Sequence, residues 1–134
     1  MARRIILSVE DDGDTYHLIE TAFREAAPDF ELQRAHDGDE ALTMLQASDE
    51  GDRPRPDLIL TNLNLPKRNG FELLKEMRKG GLVNSIPVVV FSSSSLSSDK
   101  ARCLALGAKR YFTKPGTFEE LIQIVQNVCA LVPV

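Results

Sequence analysis

The sequence predicts an α/β fold in which five strands alternate with five helices, (βα)5, and three observations carry the prediction. Short β-rich runs alternate with segments of helical periodicity along the whole chain. Three of the runs, "RIILSV", "DLILTN" and "PVVVF", are nearly continuous in apolar residues, as strands covered on both faces should be. The intervening segments are long enough for helical crossovers. That length implies parallel pairing, right-handed connections and a doubly wound, three-layer sandwich with helices on both faces of the sheet.

The elements follow in order. Strands are expected at 4–9, 30–35, 57–62, 87–91 and 110–113. The first helix, 14–26, repeats Leu18, Ile19, Ala22, Phe23 and Ala26 at helical spacing. Asp12 or Asp14 is placed to cap it, and Pro28 follows its end. The second helix, 38–47, carries a stripe of Ala41, Leu42 and Leu45. The third, 70–79, carries Phe71, Leu74 and Met77 and stops at Gly80-Gly81. The fourth, 98–106, starts at Ser98 or Asp99 and ends at Gly107. The fifth, 117–131, places Phe118, Leu121, Ile122, Val125, Val128 and Cys129 on one side, with Thr117 and Glu120 spaced as a capping box. The polar stretch "ASDEGDRPRP" (47–56) reads as a loop at the end of the sheet away from the strand tips. "SSSSLSS" (92–98) is the one low-complexity feature, and it directly follows a strand.

Composition narrows the function classes. The 134 residues fit one domain, 1–134, with no output domain after it. A net charge of -4 argues against a general nucleic-acid binder. Cys103 and Cys129 lie in apolar stretches without metal-ligand spacing and read as buried thiols of a reducing cytosol. No apolar run spans a membrane and no signal peptide opens the chain, so the expected location is cytoplasmic.

In open α/β sheets ligands bind outside the carboxyl ends of the strands. The tips of strands one, three, four and five deposit polar groups there: Glu10-Asp11-Asp12, Asn62, Ser92, and Lys114 with Pro115. Two carboxylates and a third oxygen ligand suit a hard cation such as Mg²⁺, which often bridges a phosphoryl group. A lysine and a serine hydroxyl beside it would hold the remaining phosphoryl oxygens. The set would normally be completed by a carboxylate nucleophile at the tip of the third strand, where an aspartyl phosphate would form. Asn62 stands there instead.

The stretches "ILSVEDD", "AHDGDEAL", "PDLILTNLNLPKRNGFELL", "IPVVVFSSS" and "GAKRYFTKP" resemble the response-regulator receiver domain of two-component signalling, over nearly the whole chain and in order. The resemblance implies a flavodoxin-like sheet of order 2-1-3-4-5. The long loop before the third strand resembles the small stand-alone regulators that partner phytochrome-type histidine kinases. By this resemblance Glu10 and Asp11 form the acidic pair that holds the metal, Asp11 directly, and Asn64 offers its backbone carbonyl. Ser92 and Tyr111 are the switch residues, Lys114 binds the phosphoryl group, and the Lys114–Pro115 peptide is cis. Asn62 falls at the phosphoacceptor aspartate. The family also implies a partner kinase and homodimerisation through the 98–131 face, near Lys100, Arg102, Arg110 and Tyr111.

Asn62 keeps the shape of aspartate without its charge or nucleophilicity, so it should not accept a phosphoryl group, and Mg²⁺ binding should weaken. Three explanations stand. The chain is a natural degenerate receiver, an engineered Asp→Asn variant of an ordinary one, or a receiver in which a neighbouring hydroxyl, Thr61 or Ser92, accepts instead. Strand alternation turns Thr61 to the opposite face, and no visible base activates Ser92. Asn69 also replaces an acid common in the family, which favours natural drift. The expected function is a signalling module rather than an enzyme, since neither His17 nor His36 completes a triad with Ser92. A purely structural adaptor is the further alternative.

Overall fold

The computed structural model describes residues 3–81 and 85–132. Five strands are present: β1 (Arg4–Val9), β2 (Phe30–Ala35), β3 (Leu58–Thr61), β4 (Val88–Ser92) and β5 (Arg110–Thr113). They alternate with α1 (Gly13–Ala26), α2 (Gly38–Asp49), α3 (Gly70–Lys79), α4 (Ser97–Ala105) and α5 (Phe118–Ala130). The strands form one parallel sheet in the order β2-β1-β3-β4-β5. The strand order therefore reverses direction between β1 and β3, and a crevice opens at their carboxyl ends.

Alternation along the strands builds two cores. Leu7, Val9, Ile59, Val88 and Val90 face α2, α3 and α4, meeting Ala41, Leu45, Leu73, Leu74, Met77 and Cys103. Ile6, Leu58, Leu60, Val89 and Phe91 face α1 and α5, meeting Ile19, Ala22, Phe23, Leu121, Val125 and Val128. A strand buried on both faces has no polar side to display, which is why the central runs read as continuously apolar. Burial pushes the Cys103 thiol up to about 11, so it packs as a small hydrophobe.

Six elements, α1, α2, β3, β4, α4 and α5, differ from the sequence expectation by one or two residues at an end, and three of them are instructive. The second helix runs on to Asp49, since no breaker intervenes before Gly51, at φ 83, and the Ser48 hydroxyl is absorbed by the Met44 and Pro54 carbonyls. The fourth helix starts one residue early, at Ser97, with Leu96 at its N-cap and no side-chain capping bond. The third strand is shorter at both ends. Asp57 turns aside to accept the Ile5 N–H at 2.7 Å, and Asn62 lies just past the last strand residue.

Candidate functional site

Asn62 directly follows β3, the central strand of the sheet. Its N–H donates to Val9 O at 3.0 Å, and its carbonyl accepts Thr61 Oγ1 at 2.9 Å. Behind it, Gly70 N–H donates to Leu63 O at 2.9 Å. A Cβ on Gly70 would stand 2.7 Å from the Asn62 carbonyl, so only glycine admits this close approach. Asn69 caps α3 through a complete capping box, its Oδ1 accepting Glu72 N–H at 3.0 Å while Glu72 accepts the Asn69 N–H at 3.2 Å. The loop after β3 is thus anchored at both ends, and it fixes Asn62 with only 8% exposure.

Glu10 is the hub of the site. It is 1% exposed, and a buried carboxylate is stable only when paired and hydrogen-bonded. Three donors meet it. Lys114 Nζ lies 3.2 Å from Oε1, while Asp12 N–H at 3.2 Å and Asn62 Nδ2 at 3.3 Å share Oε2. The amide turns its nitrogen to Glu10 because the opposite orientation would set two acceptors together. Asn62 Oδ1 is left buried without a hydrogen-bond partner. Asn62 Nδ2 also lies 3.5 Å from the Asn64 carbonyl, at the limit of a hydrogen bond.

The other acids of the first tip separate in role. Asp11 is exposed, and its backbone carbonyl accepts from Arg34, whose guanidinium stacks on Tyr16. Asp12 is the N-cap of α1. Its Oδ2 accepts Thr15 Oγ1 at 2.6 Å and Thr15 N–H at 3.0 Å, and these bonds hold its carboxyl below the usual range.

The fourth and fifth tips are joined by backbone, Lys114 N–H donating to Ser92 O at 2.8 Å. Ser92 is buried and its Oγ accepts Ser94 N–H at 3.1 Å. Tyr111 is 9% exposed, and its hydroxyl donates to Ser94 O at 2.7 Å. The Lys114–Pro115 peptide, expected cis, is trans, the form X–Pro bonds favour by about 0.5–1 kcal/mol.

The structure therefore brings Asn62 and Lys114 each into direct contact with Glu10. Asn64 touches them weakly, Ser92 and Tyr111 flank them, and Asp11 sits at the rim. Among the described residues no three His, Cys, Asp or Glu side chains converge as a metal cluster. His17 and His36 lie outside the site, both exposed, with His36 paired to Glu40 at 3.1 Å. Sequence reasoning missed the capping role of Asn69, although "NGFE" carries its signature, and it missed Ser94.

Comparison with known proteins adds an independent finding. The profile of the response regulator receiver domain matches residues 6–126. Response regulator Rcp1 of Synechocystis sp. is 35% identical over 126 residues, which cover 93% of this chain and 86% of Rcp1. The crystal structure of the Mn²⁺-bound form of Rcp1 superposes with a TM-score of 0.84 at 32% identity, covering 98% of this chain and 99% of that one. That of the phosphorylated cyanobacterial phytochrome response regulator RcpA gives 0.86 at 34% identity, covering 99% and 100%.

Proposed function

This chain belongs to the response regulator receiver family of two-component signalling proteins, and from that premise we propose that it is a degenerate receiver, working as a signalling module without phosphorylation at residue 62. One observation carries the reading. The group at the tip of β3 is a buried amide that donates to Glu10, in the seat where the chemistry calls for a carboxylate nucleophile. An amide nitrogen cannot attack phosphorus, and its oxygen bears no full charge. Thr61 Oγ1 donates to the Asn62 carbonyl, and Ser92 Oγ accepts from Ser94 N–H with no base beside it, so neither hydroxyl is an activated substitute.

Asn69 is no sign of drift. Asn69 caps α3, a task aspartate performs equally well, so its identity says nothing of lost phosphochemistry. Asn62 itself fits its seat chemically. Its amide supplies Glu10 with a donor that aspartate would replace by a repelling charge.

The residues fit a divalent cation such as Mg²⁺, held weakly. Asn62 Oδ1 is a buried oxygen without a partner, Asp11 offers an exposed carboxylate, and the Asn64 carbonyl stands alongside. Glu10 already shares its oxygens among Lys114, the Asp12 N–H and Asn62 Nδ2. When bound, such a cation neutralises oxygens of a phosphoryl group. The similarity to Rcp1 and RcpA supports a stand-alone cytoplasmic regulator partnered by a histidine kinase of phytochrome type. A second copy docking on the 98–131 face, where Leu104 is exposed, is the further partner. No helix among the described residues is long and apolar enough to cross a membrane.

Intact mass after incubation with Mg²⁺ and a small phosphodonor tests the reading. The chain stays unmodified and the Asn62→Asp variant gains one phosphoryl group. An adduct on the unaltered chain overturns the proposal. No adduct on either points to an adaptor whose remaining site has also decayed.

A further inference from the structure

Asn62 lowers the negative charge at the strand tips by one, and Arg34 lowers it again from the other side. Strand alternation sends Phe30, Leu32 and Arg34 to one face of the edge strand β2. Phe30 and Leu32 pack into the core beneath α1 and α5. Arg34 lies two residues further on, opposite Ser8 of β1, and its side chain reaches the tip of that strand. Its Nε donates to Glu10 O at 3.1 Å and its Nη2 to Asp11 O at 3.2 Å. The ring of Tyr16, from α1, covers the guanidinium, with its centroid 5.0 Å from Cζ.

These bonds go to the backbone carbonyls of the acidic pair and leave its carboxylates open. A full positive charge is thereby fixed beside the segment that carries them. A guanidinium stays protonated at any ordinary pH, and two hydrogen bonds and an aromatic face hold this one in place. Its field reaches the next acid. The Asp12 carboxyl is lowered first by its bonds from Thr15, and then by the charges of Lys114 and Arg34. Among the described residues, the segment thus carries three carboxylates, Glu10, Asp11 and Asp12, against two cations bonded to it, Lys114 and Arg34. An aspartate at residue 62 raises the excess from one negative charge to two, and loss of Arg34 raises it by the same amount.

We propose, on the reading that Asp11, Asn62 Oδ1 and the Asn64 carbonyl hold a divalent cation, that Arg34 is the residue that keeps affinity for that cation low. It acts as a resident positive charge seated on the backbone of the acidic pair. The strand tips are then partly neutralised by the chain itself. At the dielectric of water, one unit charge about 7–10 Å from a divalent ion changes its affinity by about four- to sevenfold. The effect of Arg34 adds to that of Asn62, because the two act on different residues of the first tip: Arg34 on the Glu10 and Asp11 carbonyls, Asn62 on the Glu10 carboxylate.

Titration with Mn²⁺ alone, followed by the electron paramagnetic resonance signal of the free ion, tests the proposal without a phosphodonor. The Asn62→Asp chain, with its added carboxylate, serves as the background. Adding Arg34→Gln tightens Mn²⁺ binding about four- to sevenfold at low salt. Arg34→Lys keeps the charge and stays within about twofold of the background. Arg24→Gln removes an exposed arginine paired with Glu20 in α1, and leaves affinity unchanged. In about 1 M KCl, where the screening length is about 3 Å, the gap between arginine and glutamine at residue 34 closes, which a purely structural role of Arg34 does not predict. Unchanged or weaker binding in Arg34→Gln overturns the proposal. So does a gain that survives high salt, or an equal gain in Arg24→Gln. Absence of Mn²⁺ binding from every chain overturns the cation reading itself and this inference with it.

Discussion

Lys114 Nζ stands 3.2 Å from Glu10 Oε1, an ion pair in which the carboxylate is almost wholly buried and the lysine keeps partial exposure. The two residues lie 104 positions apart, at the tips of β1 and β5, which flank the β3 and β4 tips. Among the described residues, Lys114 is the one full positive charge in contact with the Glu10 carboxylate. Removing it strands a buried charge, which is far costlier than losing a surface pair. Lys114→Met is therefore destabilising by about 2–3 kcal/mol, below the roughly 3–5 kcal/mol of fully buried pairs because the ammonium is still partly hydrated. Urea denaturation checks it. A change under about 0.5 kcal/mol would mean the pair behaves as an ordinary surface contact.

Asn62 contributes to the same balance from the other oxygen of Glu10. Asn62→Asp replaces a donor at 3.3 Å by a second negative charge, without altering side-chain shape. In chelator the variant is less stable than the parent by about 1–3 kcal/mol, from repulsion and the lost bond to a charged group. A divalent cation reverses the sign, because the new carboxylate completes an oxygen set with Asp11 and the Asn64 carbonyl. The variant's denaturation midpoint should climb with added Mg²⁺ while the parent's stays nearly level. Equal responses from the two chains would show that residue 62 does not govern cation affinity.

How far the site was legible in the sequence depends on the kind of interaction. Strand tips were readable, because apolar runs end abruptly at Glu10, Asn62 and Lys114, and parallel topology brings such ends together. The helix bounds slipped where no side chain marks them, as at Leu96, which begins α4 without a side-chain cap, and after Ala47, where α2 continues unbroken towards Gly51. The division of labour among Glu10, Asp11 and Asp12 was not legible. Three adjacent acids look alike in a sequence, and only geometry makes one the hub, one the rim and one a helix cap. Ser94 was hidden for the same reason, inside a run of identical residues.

Asn69 offers a direct test of the difference between a cap and a lost acid. Its side chain accepts Glu72 N–H at 3.0 Å, and Glu72 returns the bond. Asn69→Ala removes the cap and costs about 1 kcal/mol, whereas Asn69→Asp is near neutral, since both residues cap equally well. Thermal melts distinguish these outcomes. A gain of Mg²⁺ affinity in Asn69→Asp would instead tie this position to the site.

Two glycines make a matched pair for the anchoring of Asn62. Each is the first residue of its helix, Gly13 in α1 and Gly70 in α3. A Cβ on Gly13 meets nothing within 4 Å, so Gly13→Ala is neutral or stabilising by up to about 1 kcal/mol, through reduced backbone entropy. A Cβ on Gly70 would lie 2.7 Å from the Asn62 carbonyl and 2.8 Å from Leu63 Cα, both backbone atoms of the site loop. Those atoms cannot yield as a side-chain tip would, so Gly70→Ala costs about 1–3 kcal/mol by overpacking. The displacement also acts on the amide of Asn62, whose contact with Glu10 is already long at 3.3 Å. Comparing the two variants by denaturation and by the Asn62 side-chain amide signals in ¹⁵N NMR separates loop anchoring from helix propensity. Gly70→Ala shifts those signals and Gly13→Ala leaves them in place. Unshifted signals in a destabilised Gly70→Ala would show that the strain is relieved into α3 and not into the site.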